Sequence, residues 1–203
     1  MTAAKRLTDI FLALMALPFA AAAGGVIAVA LLATQGRPVL HKSGRMREPG
    51  RAFALLKFRT MRPDPGDRGV TGGDKGGRIT PLGNMLRRTR LDELPQLWNI
   101  LRGDMSFVGP RPPLRMYVER FPGLYAQVLR SRPGVTGLAT LVFHRREAEL
   151  LRGCRSAEET DTVYVRRCVP VKARLDLIYQ RRRNVCFDLA ILGRTILRMM
   201  RAG

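Results

Sequence analysis

A chain of 203 residues is long enough for one domain with an appendage and can bury a sizeable core. Its formal net charge of +20 implies a polyanionic partner (nucleic acid, anionic lipid or a phosphorylated substrate), while an aromatic content of only 6% offers no stacking platform for single-stranded nucleic acid. The cysteines Cys154, Cys168 and Cys186 are scattered and odd in number, no CxxC or Cys/His metal spacing exists, and His41 and His144 lie far apart, which excludes a zinc site and points to reduced thiols in a cytosolic environment.

Residues 1–9 make a short polar start with Lys5 and Arg6, and residues 10–32 are then apolar without a charge. That run can cross a bilayer core, which takes about 20 residues as a helix. It is too long for the apolar part of a cleaved signal peptide, and the basic remainder also speaks against export. Lys5 and Arg6 precede the run, while Arg37, Lys42, Arg45 and Arg47 follow it, so the positive-inside rule assigns both flanks to the cytoplasmic face. A straight span satisfies one flank only; a segment that enters and returns satisfies both. Pro18 removes a backbone hydrogen bond in the upstream half, and Gly24-Gly25 adds a second flexible point. The expected element is a re-entrant membrane helix broken at Pro18. The ordinary alternative is a single-span anchor with a tolerated proline.

Residues 37–42 look like a short strand and residues 43–51 are turn-rich. Residues 53–60 (Phe-Ala-Leu-Leu-Lys-Phe-Arg-Thr) read as the partner strand of a hairpin. A period of two places Lys57 and Arg59 on one face, with Leu56 and Phe58 on the other. Two aligned cations beside an apolar face suit a phosphate site, although a solvated strand face is the usual fate of such a pair. Residues 64–78, rich in Gly, Asp and Pro, predict a mobile loop and lack the GxxxxGK[ST] spacing of a nucleotide loop. Thr80 and Pro81 then fit the N-cap and first position of a helix. That helix carries Leu82, Met85 and Leu86 on one side and Arg87-Arg88 at its end.

The stretch Thr89-Arg90-Leu91-Asp92-Glu93-Leu94-Pro95-Gln96-Leu97-Trp98-Asn99 sets two adjacent carboxylates in a cationic chain. Thr89 followed by Asp92 reads as a capping-box variant, and Pro95 tolerates only an early helical position. Asp92 and Glu93 are therefore expected in or beside the first turn of a short helix that ends near Gly103. The helix dipole and the guanidinium groups of Arg87, Arg88 and Arg90 favour ionised carboxylates there. An ionised carboxylate can act as nucleophile, base or metal ligand; it can equally be a cap paired with arginines. Further on, Pro110 and Pro112 stiffen the backbone around Arg111, which preorganises that guanidinium for bidentate phosphate contact, the simpler reading being a surface arginine.

Residues 114–129 look helical with an interruption at Pro122-Gly123. Residues 132–137 form a tight turn leading into the apolar residues 138–143, and residues 147–167 predict a charged helix. Residues 174–183 and 186–201 predict basic amphipathic helices. The last has Phe187, Ile191, Ile196 and Met200 near one apolar face, with Arg194, Arg198 and Arg201 available to anionic headgroups. Packing against the domain core is an equally ordinary fate for such helices.

These blocks in order carry a resemblance over nearly the whole chain. Lys5-Arg6-Leu7-Thr8-Asp9, Leu55-Leu56-Lys57-Phe58-Arg59-Thr60-Met61, Leu91 to Asn99, Gly103-Asp104-Met105-Ser106-Phe107-Val108-Gly109-Pro110-Arg111-Pro112 and Arg132-Pro133-Gly134-Val135-Thr136-Gly137 together resemble the bacterial sugar transferase family. These are monotopic polyprenyl-phosphate phosphoglycosyl transferases, here in a small form. The resemblance implies a re-entrant helix in the bacterial inner (cytoplasmic) membrane and a cytoplasmic active site. It implies Mg²⁺-dependent transfer of a sugar-1-phosphate from a nucleotide sugar, usually a UDP-sugar, to polyprenyl (undecaprenyl) phosphate with release of UMP. That step opens exopolysaccharide, O-antigen or glycoprotein glycan assembly. Carried over by motif, Asp92 is the nucleophile and Glu93 assists, by holding the metal or by accepting a proton; either acid is a candidate Mg²⁺ ligand. Lys57, Arg59, Arg88 and Arg111 are the candidate phosphate cradle. The family commonly has Ser-Pro at the membrane break where this chain has Leu17-Pro18, and residues 64–78 and 138–143 match no family constant.

The expected architecture is α+β: a mostly helical, membrane-associated domain with a short β-hairpin. Residues 1–36 form the re-entrant membrane helix, and residues 37–203 the catalytic domain with C-terminal amphipathic helices. The expected partners are a nucleotide sugar, polyprenyl phosphate and anionic membrane lipids, with no nucleic acid and with a homodimer left open. Two rivals stand beside this reading. A non-catalytic polybasic module binding membrane or nucleic acid leaves the Asp92–Glu93 pair unexplained. A nucleotide-sugar hydrolase would release UMP continuously without lipid.

Overall fold

The computed structural model describes residues 1–64, 70 and 72–202. The chain opens with α1 (Ala3–Gln35), started by Thr2, whose hydroxyl accepts from the Lys5 N–H. The helix is long and apolar enough to cross a membrane. Helical backbone continues through Pro18, the position expected to kink the element. The missing N–H costs one hydrogen bond, and the apolar helix formers on both sides carry the element on. One stripe of α1 is turned to the domain. Lys5, Asp9, Ala13, Ile27 and Leu31 are buried at helical spacing, and a Cβ on Gly24 would lie 3.6 Å from the Phe58 ring. The rest of its surface is open, with Phe19 at 78% exposure.

Next come β1 (Leu40–Glu48) and β2 (Arg51–Phe58), an antiparallel hairpin whose register runs from Leu40 opposite Phe58 to Glu48 opposite Arg51. The strands are longer than predicted. Ser43 and Gly44 lie within β1, and the turn is confined to Pro49-Gly50, where Gly50 takes φ 78°. Only that dipeptide supplies real turn chemistry; Gly44 is tolerated because it sits on an open strand. Of the predicted 64–78 loop, residues 65–69 and 71 lie outside the described residues, and Gly73–Arg78 form a 3-10 turn.

Helix α2 (Pro81–Thr89) starts as predicted, Thr80 accepting from the Gly83 N–H with Pro81 at the first turn. Helix α3 (Gln96–Arg102) ends at Gly103. Two three-residue strands, β3 (Ser106–Val108) and β4 (Gly134–Thr136), pair in parallel. Neither was legible as a strand, since three residues show no periodicity. Between them lie α4 (Arg115–Arg120) and α5 (Pro122–Val128), divided at the predicted Pro122.

The C-terminal half departs more. The apolar residues 138–143 are the first turns of α6 (Leu138–Arg152), and the single predicted helix over 147–167 is divided at Gly153. After it, α7 (Ala157–Val163) passes through a wide turn at Tyr164–Cys168 into α8 (Val169–Arg182), and α9 (Val185–Ala202) closes the chain. The main core joins Tyr117, Val118, Tyr125, Val128, Leu151, Cys168 and Val169 from α4 to α8. Two smaller cores seat the halves of α1: Ala13 with Leu55, Ile100 and Met105, and Ile27 and Leu31 with Phe58 and Leu86. On α9, Ile191 is buried and Phe187 packs beside it, but Ile196 faces outward, so the expected single apolar face is divided between core and surface.

Candidate active site

Asp92 and Glu93 lie in a 3-10 turn, Leu91–Glu93, between α2 and α3. The capping box does not form. Thr89 donates back to the carbonyls of Met85 and Leu86 within α2. What bends the chain is Arg90, at φ 56° in the left-handed region, a conformation that costs a side-chain-bearing residue about 1–2 kcal/mol. Its side chain secures that bend, donating to Glu93 Oε2 at 2.6 and 3.2 Å and to the Val135 carbonyl at 3.2 Å.

Buried Asn99 sets the turn over the hairpin. It accepts from the Leu56 N–H at 3.1 Å and donates to the Ala54 carbonyl at 2.8 Å, so a side chain of α3 pairs with the edge of β2. Lys57, one residue further along β2, then reaches Glu93 Oε1 at 2.7 Å and stands 3.8 Å from Asp92 Oδ2. Arg111 comes from the other side. Gly109 lies so close to the Arg132 carbonyl that a Cβ there would sit at 2.1 Å, and this contact, beside the β3–β4 pair, fixes the Gly109-Pro110-Arg111 turn. Arg111 Nη1 stops 3.9 Å from Glu93 Oε1, with its side chain 43% exposed.

The two acids are held differently. Burial alone would push Glu93 up, but Lys57, Arg90 and Arg111 overcome it and hold the carboxyl at about 2. For Asp92 burial wins: the carboxyl is pushed above the ordinary range, against Lys57 and with help from the neighbouring Glu93 charge. The expected hold of nearby cations on the acids is therefore strong at Glu93, whereas at Asp92 burial works against it. Burial also pushes the Lys57 amine down, which Glu93 partly offsets.

Of the predicted residues, Asp92, Glu93, Lys57 and Arg111 converge. Arg59 does not join them. Strand β2 ends at Phe58, so the alternation fails there, and Arg59 instead donates to the carbonyls of Gln35, Gly36 and Arg37 at the end of α1. Arg88 is exposed on α2. Arg87 and Arg90 occupy the inward positions, Arg87 donating to Thr60 Oγ1 at 2.9 Å and adding its charge to the field at Asp92. The helical period carried this signal: Gly83 and Leu86 face inward, and residues 87 and 90 share that side while 88 does not.

The family model for bacterial sugar transferases matches residues 1–202. The chain belongs to the bacterial sugar transferase family. It is 36% identical over 166 residues to the UDP-glucose:undecaprenyl-phosphate glucose-1-phosphate transferase of Escherichia coli K12, covering 80% of this chain and 36% of that protein. It is 31% identical over 198 residues to the UDP-N-acetylgalactosamine-undecaprenyl-phosphate N-acetylgalactosaminephosphotransferase of Aeromonas hydrophila, covering 95% of this chain and 42% of that protein. To the putative undecaprenyl-phosphate N-acetylgalactosaminyl 1-phosphate transferase of Bacillus subtilis it is 38% identical over 120 residues, covering 59% and 67%. The chain thus spans less than half the length of the first two relatives, and the converging acids and cations lie within the part that the family model matches.

Proposed function

We propose that this chain transfers a sugar-1-phosphate from a nucleotide sugar to a polyprenyl phosphate, with Asp92 as the covalent nucleophile. The observation that carries the reading is the buried Asp92–Glu93 pair ringed by Lys57, Arg90 and Arg111 in a chain of this family. The relatives' names point to a UDP-sugar as donor and undecaprenyl phosphate as acceptor.

In the first half-reaction an Asp92 oxygen attacks the sugar-bearing phosphorus. The bond to the nucleotide breaks, and UMP leaves with the electron pair. In the second, an oxygen of the polyprenyl phosphate attacks the same phosphorus, the Asp92–phosphorus bond breaks and the carboxylate is restored. Covalent catalysis of this kind divides one hard displacement into two. Glu93 serves as the fixed anion that aims Lys57, Arg90 and Arg111 at the phosphoryl oxygens. A carboxyl held at about 2 is a poor proton acceptor, so we assign it no base duty.

Mg²⁺ is the expected cofactor. Among the described residues no group of three His, Cys, Asp or Glu side chains is placed to hold a metal. Both Glu93 oxygens are engaged by Lys57 and Arg90, while Asp92 Oδ2 stands off from Lys57 at 3.8 Å. Magnesium usually takes one or two carboxylates and completes its shell with substrate phosphates and water. That habit fits Asp92 with a bound diphosphate. When bound, the ion would neutralise charge on the phosphoryl oxygens.

The apolar surface of α1 supports a seat in the cytoplasmic membrane, and the fastening of both its ends to one domain supports a re-entrant course. The net charge of +20 suits anionic lipid at that surface. The deciding experiment is UMP release from a panel of UDP-sugars with Mg²⁺, with and without undecaprenyl phosphate, for the wild type and Asp92→Asn. The expected result is one stoichiometric burst without lipid, sustained turnover with it, and neither in the variant. Sustained release without lipid would make the protein a hydrolase. Full activity of Asp92→Asn would remove the nucleophile.

A further inference from the structure

Arg45 has a place that the chemistry above does not use. The hairpin register sets it opposite Phe53, on the same face as Lys57 opposite His41. Its guanidinium is half-buried and donates to Ser43 Oγ at 3.2 Å and to the Pro112 carbonyl at 3.4 Å, beside Arg111. Among the described residues no carboxylate forms an ion pair with it. Its electrostatic neighbours are a second cation and two phenols: Arg111, Tyr164 and Tyr117. Burial and the Arg111 charge push the Arg45 guanidinium down to about 10. Glu93, Glu147 and Asp92 hold Arg111 charged against its burial, yet its contact with Glu93 is loose: Glu93 Oε1 sits 2.7 Å from Lys57 and 3.9 Å from Arg111.

A half-buried guanidinium such as Arg45, with neutral hydrogen-bond partners and no carboxylate partner among the described residues, is a standing electrostatic cost, and an incoming anion relieves it. Arginine forks match a phosphate with several parallel hydrogen bonds, and the Arg111 side supplies the exposure an entering ligand needs. We propose that Arg45 and Arg111 form a second phosphate seat, distinct from Asp92, which holds the phosphate monoester that departs from or arrives at the reacting phosphorus. This rests on the transferase reading, which requires such a group twice: the nucleoside monophosphate that leaves, and the polyprenyl phosphate that enters. The seat is where that phosphate waits while the bond at Asp92 is made or broken.

The test uses the full-length protein in lipid nanodiscs as wild type, Arg45→Met and Arg45→Lys, with thermal melting to follow the fold. Three quantities are read: the lipid-independent UMP burst, inhibition by added UMP, and the KM for undecaprenyl phosphate. Loss of a charge-assisted contact is expected to weaken the affected step by about 10-fold or more in Arg45→Met and less in Arg45→Lys. A slowed burst with weaker UMP inhibition identifies the leaving nucleotide as the occupant. A raised acceptor KM with an unchanged burst identifies the lipid phosphate. If all three stay at wild-type values in a folded variant, the seat does not exist. If Arg45→Met fails to fold, Arg45→Lys is decisive on the same readouts, because it keeps the charge and loses the fork. If the wild type releases UMP from no donor, the transferase reading fails by itself. The seat is then judged by equilibrium binding of UMP and of inorganic phosphate, where equal affinity in wild type and variant overturns it.

Discussion

Arg90 is asked to do two things at once. Its backbone makes the left-handed bend that turns α2 into the Asp92 loop, and its side chain clamps Glu93. Glycine would relieve about 1 kcal/mol or more of backbone strain but lose the clamp. Arg90→Gly is therefore expected to melt within a few degrees of wild type and to lose about 10-fold or more of its UMP burst rate. A large loss of stability with normal activity would reverse that assignment. Asp176 on α8 tells a different story. Its Oδ1 has no hydrogen-bond partner among the described residues, and burial pushes the carboxyl up to about 7, against the pull of Lys172. Below about pH 4 the folded and unfolded chains both hold that proton, so the group costs nothing. Between about 4 and about 7 the unfolded chain gives it up while the fold keeps it, which favours unfolding. Above about 7 the full cost stands, roughly 4 kcal/mol at most. Asp176→Asn should thus gain on the wild type in thermal melts as pH rises from 4.5 to 8. A gap that does not change with pH would mean the carboxyl ionises freely in the fold.

The elements that carry the site are joined by polar side chains as much as by apolar packing. Lys5 of α1 donates to Asp188 of α9 at 2.5 Å and to the Val108 carbonyl of β3 at 3.0 Å, and Tyr179 of α8 donates to the same Asp188 at 2.7 Å. Breaking a buried pair by removing one partner typically costs about 3–5 kcal/mol. Asp188→Asn should lower the melting temperature by about 10 °C, and Lys5→Met with Asp188→Leu should restore most of it. Additive losses in the double variant would show that the two residues act separately. This junction also marks the limit of what could be seen in the linear chain. The start of α2, the Pro122 division and the acid pair announced themselves, because caps, prolines and adjacent carboxylates act locally. Lys5 and Arg6 read only as flanking charge. Their partners, Asp188 and the carbonyls of Ile100 and Leu101, lie about 100 or more residues away. Arg59 was misplaced for the same reason, since its role depends on where α1 ends and not on its neighbours in β2. Strands β3 and β4 are defined only by each other.

At the scale of the molecule the question is how α1 meets the bilayer. A helix of 33 residues is about 50 Å long, more than the ~30 Å of a hydrocarbon core. A straight anchor of that length would leave one end far from the domain. Here the first turns are held by Arg6 on the α3 carbonyls and by Asp9 on Ser106 and Phe107, while Arg59 holds the carbonyls at the other end. In the proposed re-entrant course both termini of α1 lie on the side of the membrane that holds the domain. Ala3→Cys and Thr34→Cys test this, each in a Cys186→Ser background, since Cys154 and Cys168 are buried. A membrane-impermeant maleimide should modify both sites in inverted vesicles, where the cytoplasmic face is outward, and neither site in spheroplasts. Modification of Ala3→Cys from the outside of spheroplasts would make α1 a spanning anchor. The contacts of Lys5, Arg6 and Asp9 would then have to break in the membrane, and β3, which they brace beside the Arg111 turn, would lose its support. The labelling pattern therefore bears on the active site as directly as on topology.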